Sequence, residues 1–289
     1  MARPQRWLEI YCLLACLASL PGCDAHHYFY RPTQEQYANP ANQGLRYEDI
    51  FFTSLDGTRL HGWFIPAKGQ AQGTLIHFHG NSKNISGHLH YTDWLAEKGF
   101  NLFLFDYRGY GKSAGTPEPE GLTQDGVAAI RYIQSRKDID HNRLLVFGQS
   151  LGGTYSLTAL ARERRGVCGV VIEGTFSSHR EIAIDQMASD DVPRPLKSFI
   201  ATLLVGNQHD AAPLIGQFGK LPILLVHGSA DSVIPVAHGD RLAALLPKDA
   251  TYWRKEGDHH LVTFMADRTE NRASLQQFLE HSLKNCPKK

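Results

Sequence analysis

The eight residues Val146-Phe147-Gly148-Gln149-Ser150-Leu151-Gly152-Gly153 restrict the folds open to this chain more than any other stretch. Arg143 to Phe147 has β character and Leu151 to Glu163 has helical composition, so Gly148-Gln149-Ser150-Leu151-Gly152 reads G-x-S-x-G at a strand-to-helix turn. Such a turn forces its central residue into a cramped backbone conformation, and the glycines two residues either side leave the room this needs. The serine hydroxyl is then held clear of the sheet, with the positive end of the next helix beneath it. The plainer alternative is a glycine-rich turn with an incidental serine, and the rest of the chain has to decide between the two.

Before the turn, Asp49–Thr53 and Leu60–Ile65 flank Leu55-Asp56-Gly57-Thr58, and Asp-Gly between two β-rich runs predicts a hairpin. Gly73–His79 and Phe100–Phe105 are almost wholly apolar, the mark of parallel strands covered on both faces. A helical stretch is expected between them as far as Lys98. Another is expected from Gln124 to Ser135, where Val127, Ile130 and Ile133 form one stripe. After the turn, Val170–Glu173 and Leu221–His227 are further buried strands, followed by a helix Val236–Leu246, a strand Thr251–Lys255 and a last helix to Leu283. From Ser177 to Gly219 the alternation lapses into proline-punctuated, mixed sequence, which suits an inserted lid. Strand–helix alternation over the rest predicts an α/β fold, with a mostly parallel central sheet and helices on both faces.

In open parallel sheets the chemistry collects in loops at the carboxyl ends of strands. Four such ends stand out here: Gly80-Asn81, Ser150, Asp231 and His259. A serine hydroxyl is a weak nucleophile until a base lies within hydrogen-bond reach and a third group orients that base. Stabilising the resulting oxyanion takes two donors; the Leu151 N–H is one candidate and the Asn81 N–H the other. Glu173 and Asp106 also end strands and compete with Asp231 for the acid, as His260 competes with His259 for the base. His79 is expected to brace its loop.

The segments Phe78–Ile85, Asp106–Ser113, the G-x-S-x-G turn, Val226–Pro235 and Glu256-Gly257-Asp258-His259 together resemble the α/β-hydrolase superfamily. Within it the chain is similar to the bud-emergence-type hydrolases and their protein-depalmitoylase relatives, over about residues 48–284. The resemblance implies the α/β-hydrolase fold with a short lid insert at 177–219. It implies hydrolysis of an ester, thioester or amide of a small-molecule or acylated substrate through an acyl-serine, without cofactor or metal. Carried over residue by residue, it assigns Ser150 as nucleophile and Asp231, in a matching acid loop, as the orienting acid. The family's glycine-any-histidine pattern selects His259 as base, although the family usually has asparagine where this chain has His260. Two other readings stay open. One is an aminopeptidase-like serine peptidase, with Asp190-Asp191 holding a free amine; the other is a non-enzymatic binding protein on the same fold.

The formal charge of +1 gives no reason to expect a nucleic-acid partner. The fifteen histidines are scattered without metal-site spacing. Arg3 and Arg6 precede an apolar run, Ile10–Leu20, too short to span a bilayer, and Leu20-Pro21-Gly22-Cys23 resembles a bacterial lipobox with an unusual proline. Residues 1–22 are therefore expected to be an export signal cleaved before Cys23, and 23–47 a tether and lead-in. Cys23 would be diacylated, and Asp24 resembles an inner-membrane retention signal. The expected placement is a periplasm-facing lipoprotein held at the inner-membrane surface. Cys168 and Cys286 remain in the mature chain; their pairing is open, and Cys168 reads as a small core residue.

Overall fold

The Asp56-Gly57 turn closes the hairpin of β1 (Glu48–Thr53) and β2 (Arg59–Ile65). The Asp56 carboxylate accepts from the Thr58 amide at 3.0 Å, and Gly57 takes a φ of 92°. These features come from a computed structural model that describes residues 29–187 and 192–286. The apolar runs become β3 (Gly73–Phe78), β4 (Phe100–Asp106), β5 (Leu144–Gln149), β6 (Val167–Glu173) and β7 (Ile223–Gly228), and every residue in them is buried. With β8 (Thr251–Lys255) at the edge, they form an eight-stranded sheet in the order β1-β2-β4-β3-β5-β6-β7-β8. The β1–β2 and β2–β4 pairs are antiparallel, and all the others are parallel.

Side chains alternate between two cores, as the period of two requires. Phe103, Phe105, Val146 and Ile172 point to one face, where they meet α1 (Pro119–Ser135) and α2 (Leu151–Arg162). Leu102, Leu104, Phe147 and Val171 point to the other, against α6 (Thr269–Lys284) through Leu275, Leu279 and Leu283. Each fully buried leucine of this kind contributes roughly 2–3 kcal/mol by area. Helix α1 starts at Pro119, ahead of the expected Gln124, because the Glu118 side chain caps the Glu120 amide and proline occupies the first turn. The helix expected up to Lys98 is instead one α-turn, Ile85–His88, and two 3-10 pieces, Leu89–Tyr91 and Asp93–Lys98. There the Asp93 carboxylate takes the Trp94 amide at 2.7 Å, a local bond that competes with a continuous helix. The insert carries α3 (His179–Gln186), α4 (Arg194–Leu204) and a short turn at Ala212–Ile215; α5 (Ala237–Ala243) follows β7.

The chain leaves β3 to one side for β4, then returns across it to β5. That reversal makes the carboxyl ends of β3 and β5 a topological switch point, where an open parallel sheet leaves a crevice. Two further constraints hold the frame. Cys168 in β6 is disulfide-bonded to Cys286 beyond α6, so the expected small core residue is buried and also bridged. Closing a loop of 118 residues is worth about 4–5 kcal/mol in the chain-entropy account. The lead-in is docked from Tyr30 onward and does not hang as a free tether. Arg31-Pro32 pairs with Ser82-Lys83, the Tyr30 and Tyr155 hydroxyls meet at 2.7 Å, and Asn84 Nδ2 donates to the Thr33 and Glu35 carbonyls.

Candidate active site

Ser150 sits between β5 and α2 at φ 53°, ψ −119°, a backbone conformation an L-residue holds only when its surroundings enforce it. The enforcement is visible. The Ser150 amide donates to the Glu173 carbonyl at 2.8 Å, and the Thr175 hydroxyl donates to the Ser150 carbonyl at 2.7 Å. A Cβ on Gly148 would lie 2.6 Å from Ser156 Oγ, and one on Gly152 would run into the Phe78 carbonyl oxygen. Both glycines of the motif are thus required by space. As first residue of α2, Leu151 has an N–H with no partner inside the helix, and it lines the cleft beside Ser150.

The loop after β3 forms the opposing wall. A Cβ on Gly80 would stand 3.5 Å from Ser150 Cβ. Asn81 uses its side chain to tie three segments together: Oδ1 accepts from the Arg31 amide (3.1 Å) and the Tyr110 hydroxyl (2.9 Å), and Nδ2 donates to the Phe29 carbonyl (2.6 Å). Tyr110 is steadied in turn by the loop after β4, where Arg108 forks onto the buried Asp125 carboxylate. His79 donates from Nδ1 to the Gly80 carbonyl at 2.7 Å, and burial lowers its pKa well below the ordinary value, so it sits neutral as a brace. Asp106 lies behind this loop and accepts from the Ile85 amide and the His61 ring, away from the cleft.

Asp231 follows β7. Its Oδ1 accepts from the Val233 and Ile234 amides at 2.9 and 2.8 Å, and its Oδ2 lies 2.6 Å from Nδ1 of His260. Burial works to raise its pKa, but the His260 contact and the two amides outweigh it and hold the carboxyl below its ordinary value. The partner is His260, which corrects the expectation of His259. The reason lies in Asp258, which is buried, accepts from the Thr263 hydroxyl at 3.1 Å, and gives its carbonyl to the Ala230 amide at 3.0 Å. With Asp258 turned inward, His259 is turned out to solvent, where Nδ1 meets only the Ala230 carbonyl at 3.0 Å. His260 turns back in over Gly174, whose missing side chain leaves space for its ring. Two adjacent histidines gave a one-residue ambiguity that the G-x-H spacing resolved the wrong way.

Glu173, the other acid weighed from sequence, approaches no histidine directly. Burial pushes its carboxyl up to about 7, opposed mainly by the Gln149 amide that donates to Oε2 at 2.7 Å. Gln149 Oε1 in turn meets His77 Nε2 at 2.9 Å, so a polar chain of three side chains runs beneath the strained turn. Sequence reading singled out Glu173 but missed its links to Gln149 and His77, whose signals were polar residues near the ends of otherwise apolar strands. It also missed Phe29 and Arg31, which line the cleft with Ser150, Asn81 and His260. The cleft encloses about 460 Å³, and a second cavity of about 380 Å³ shares Phe29 and Ala183 with it. Asp190-Asp191 and Cys23 lie outside the described residues.

A family model described as serine aminopeptidase, S33, matches residues 69–215. The uncharacterized protein YfhR of Escherichia coli (strain K12) is 36% identical over 247 residues, 84% of this chain and 82% of that protein. Protein bem46 of Schizosaccharomyces pombe is 25% identical over 212 residues, 72% of this chain and 68% of its own. Among solved structures, the Pyrococcus furiosus esterase Pf2001 superposes with a TM-score of 0.72 at 21% identity, over 87% of this chain and 97% of that one. At that identity the likeness speaks for the fold.

Proposed function

The chain belongs to the serine aminopeptidase, S33, family of α/β-hydrolases, and we propose that it is a serine hydrolase that cleaves an acyl ester, thioester or amide through an acyl-serine. The observation that carries this reading is the 2.6 Å contact between His260 Nδ1 and Asp231, with Ser150 on its strained turn in the same cleft. A proton on Nδ1, held by the carboxylate, leaves the Nε2 lone pair as the base. Nε2 takes the Ser150 proton as Oγ attacks the acyl carbonyl. The N–H groups of Leu151 and Asn81 hold the oxyanion, and the protonated imidazole gives its proton to the leaving alcohol, thiol or amine. A water then repeats the sequence on the acyl-serine and releases the acid and the free hydroxyl. No step calls for a cofactor.

Cleavage of an amide next to a free amino terminus is the second reading, favoured by the family's description. A fluorophosphonate probe should label the native protein and not Ser150→Ala. Turnover of a p-nitrophenyl ester that survives Ser150→Ala would end the proposal. Acyl esters compared with aminoacyl amides separate the two substrate readings.

For placement, the proposal is an exported chain diacylated at Cys23 and held at the periplasmic face of the inner membrane. The Cys168–Cys286 bridge supports an oxidising compartment. Among the described residues no helix is long and apolar enough to cross a membrane. Cys23→Ser in a bacterial host fed labelled palmitate tests the anchor; a native chain that takes up no label and leaves by osmotic shock would refute it.

A further inference from the structure

Helix α4 is mounted with its apolar side outward. Leu196, Phe199 and Leu203 fall at i, i+3 and i+7 with Leu204 beside them, and they are 49%, 55%, 65% and 55% exposed. The side turned to the protein is carried by Ala201, the buried residue of the helix. An amphipathic helix that serves only the packing of its own domain does the reverse. The stripe covers on the order of a few hundred Å² of contiguous apolar surface, the size that marks an interaction site on a soluble domain. The two cations of the helix lie on the Ala201 side, where Arg194 pairs with Glu181 at 3.0 Å and Lys197 Nζ donates to the Met187 carbonyl at 2.9 Å, so the outward stripe carries no charge.

Where the amino-terminal residues join the fold says what the stripe meets. Phe29 lines one cavity together with Leu204 and Val205, at the carboxyl end of α4. The described chain therefore begins beside this helix, and Ile10–Leu20 and Cys23 precede that point in sequence. The six residues from Cys23 to Phe29 can span no more than about 20 Å. Whatever fastens that segment to a membrane brings a bilayer to the α4 side of the molecule.

We propose that the outward face of α4 is a bilayer-docking surface, with Leu196, Phe199 and Leu203 seated among the acyl chains. The inference takes its direction from the membrane placement of the amino-terminal segment and is independent of the hydrolytic reading. It has a consequence for the cleft, which shares Phe29 and Ala183 with the cavity at the end of α4. A docked α4 opens that path toward lipid, so an acyl chain can reach Ser150 without crossing water.

A chain beginning at Asp24 tests the face alone, because it lacks Cys23 and the apolar run and keeps every residue of both cores. It should co-sediment with vesicles of phosphatidylglycerol and phosphatidylcholine. Leu196→Ser, Phe199→Ser and Leu203→Ser combined should lower that partition at least tenfold, with unchanged thermal melting and unchanged turnover of p-nitrophenyl butyrate. In a second variant, Phe199→Trp, brominated lipid should quench the added emission. Failure of the native chain to bind vesicles, or equal binding by the triple variant, overturns the proposal. So does self-association in sedimentation velocity that the triple variant abolishes while vesicles bind neither protein; the face would then belong to a second copy. Because turnover of the soluble ester is read separately, none of these failures touches the hydrolase reading.

Discussion

Helices α1 and α4 share an apolar period and point it in opposite directions. In α1, Val127, Ile130 and Ile133 are at most 1% exposed, sealed between the sheet and α2. In α4, Leu196, Phe199 and Leu203 are about half exposed or more. The difference follows from position in the topology. α1 is the crossover between β4 and β5 and has to cover the sheet face between them, whereas α4 lies in an insert above strand ends, where no sheet face remains to cover. The period of a stripe identifies a face, and connectivity decides what that face meets. In the proposed reading the same division runs through the cleft, with chemistry on the sheet side and access on the insert side.

The largest effects should lie on the sheet side and be blind to the form of the substrate. Ser150→Ala and His260→Ala should each lower kcat/KM on the order of 10⁴-fold or more, for a soluble p-nitrophenyl ester and a vesicle-borne ester alike. Asp231→Asn should be nearly as damaging with the fold intact, since the imidazole loses the acceptor that fixes its tautomer. Changes on the outward face of α4 should leave the soluble ester untouched. A loss there comparable with that of His260→Ala would erase the distinction between chemistry and access.

Stability should divide the helices in the opposite sense. Ile130→Ala removes a side chain that is fully buried and should cost about 2–5 kcal/mol in urea unfolding. Phe199→Ala, on the exposed stripe, should stay within about 0.5 kcal/mol. If Phe199→Ala costs as much as Ile130→Ala, the α4 face is packed in solution and the contrast fails.

A smaller, pH-dependent effect tests the buried polar chain under Ser150. Burial raises the Glu173 carboxyl from 4.5 to about 7, so the folded protein keeps a proton that the unfolded chain releases. This contribution is present below about pH 4.5, falls as pH rises, and is lost above about 7. Glu173→Gln is neutral throughout and lacks the slope. Relative to the native protein, its stability should improve from pH 5 to 8, on the order of 1–3 kcal/mol in all. A difference constant across that range would show that Glu173 titrates normally.

How much of this was legible in the sequence depended on whether a feature was local. The apolar runs that became β3 to β7, the Asp56-Gly57 hairpin and the G-x-S-x-G turn are set by neighbours in the chain, and they fold as read. Asp231 was readable because the loop that gives it two backbone amides is itself a contiguous motif. What failed depended on distant contacts. The lead-in looked like a tether because its anchors, Asn81, Asn84 and Tyr155, lie far along the chain. The Glu173–Gln149–His77 chain joins the ends of three strands, and a disulfide between Cys168 and Cys286 cannot be inferred from two cysteines. The outward mounting of α4 is of the same kind, since composition gives its stripe and only the fold gives its direction.

The smallest predicted effect bears on the one site residue that sequence spacing misplaced. His259 is exposed and holds a single contact, Nδ1 to the Ala230 carbonyl at 3.0 Å. His259→Ala removes that contact and exposes no cavity. It should change kcat/KM by less than about threefold and stability by less than about 0.5 kcal/mol, as surface substitutions do. His260→Ala, one residue on, should cost orders of magnitude, because its ring meets the Asp231 Oδ2 at 2.6 Å while the His227 ring stands off at 3.6 Å. The pair of variants also separates position from chemistry. His259→Asn and His260→Asn put the same side chain at each position in turn, and only the second should extinguish fluorophosphonate labelling. Were His259→Asn the inactive one, the inward turn of Asp258 would not be the arrangement in the working enzyme, and the glycine-any-histidine register would be restored.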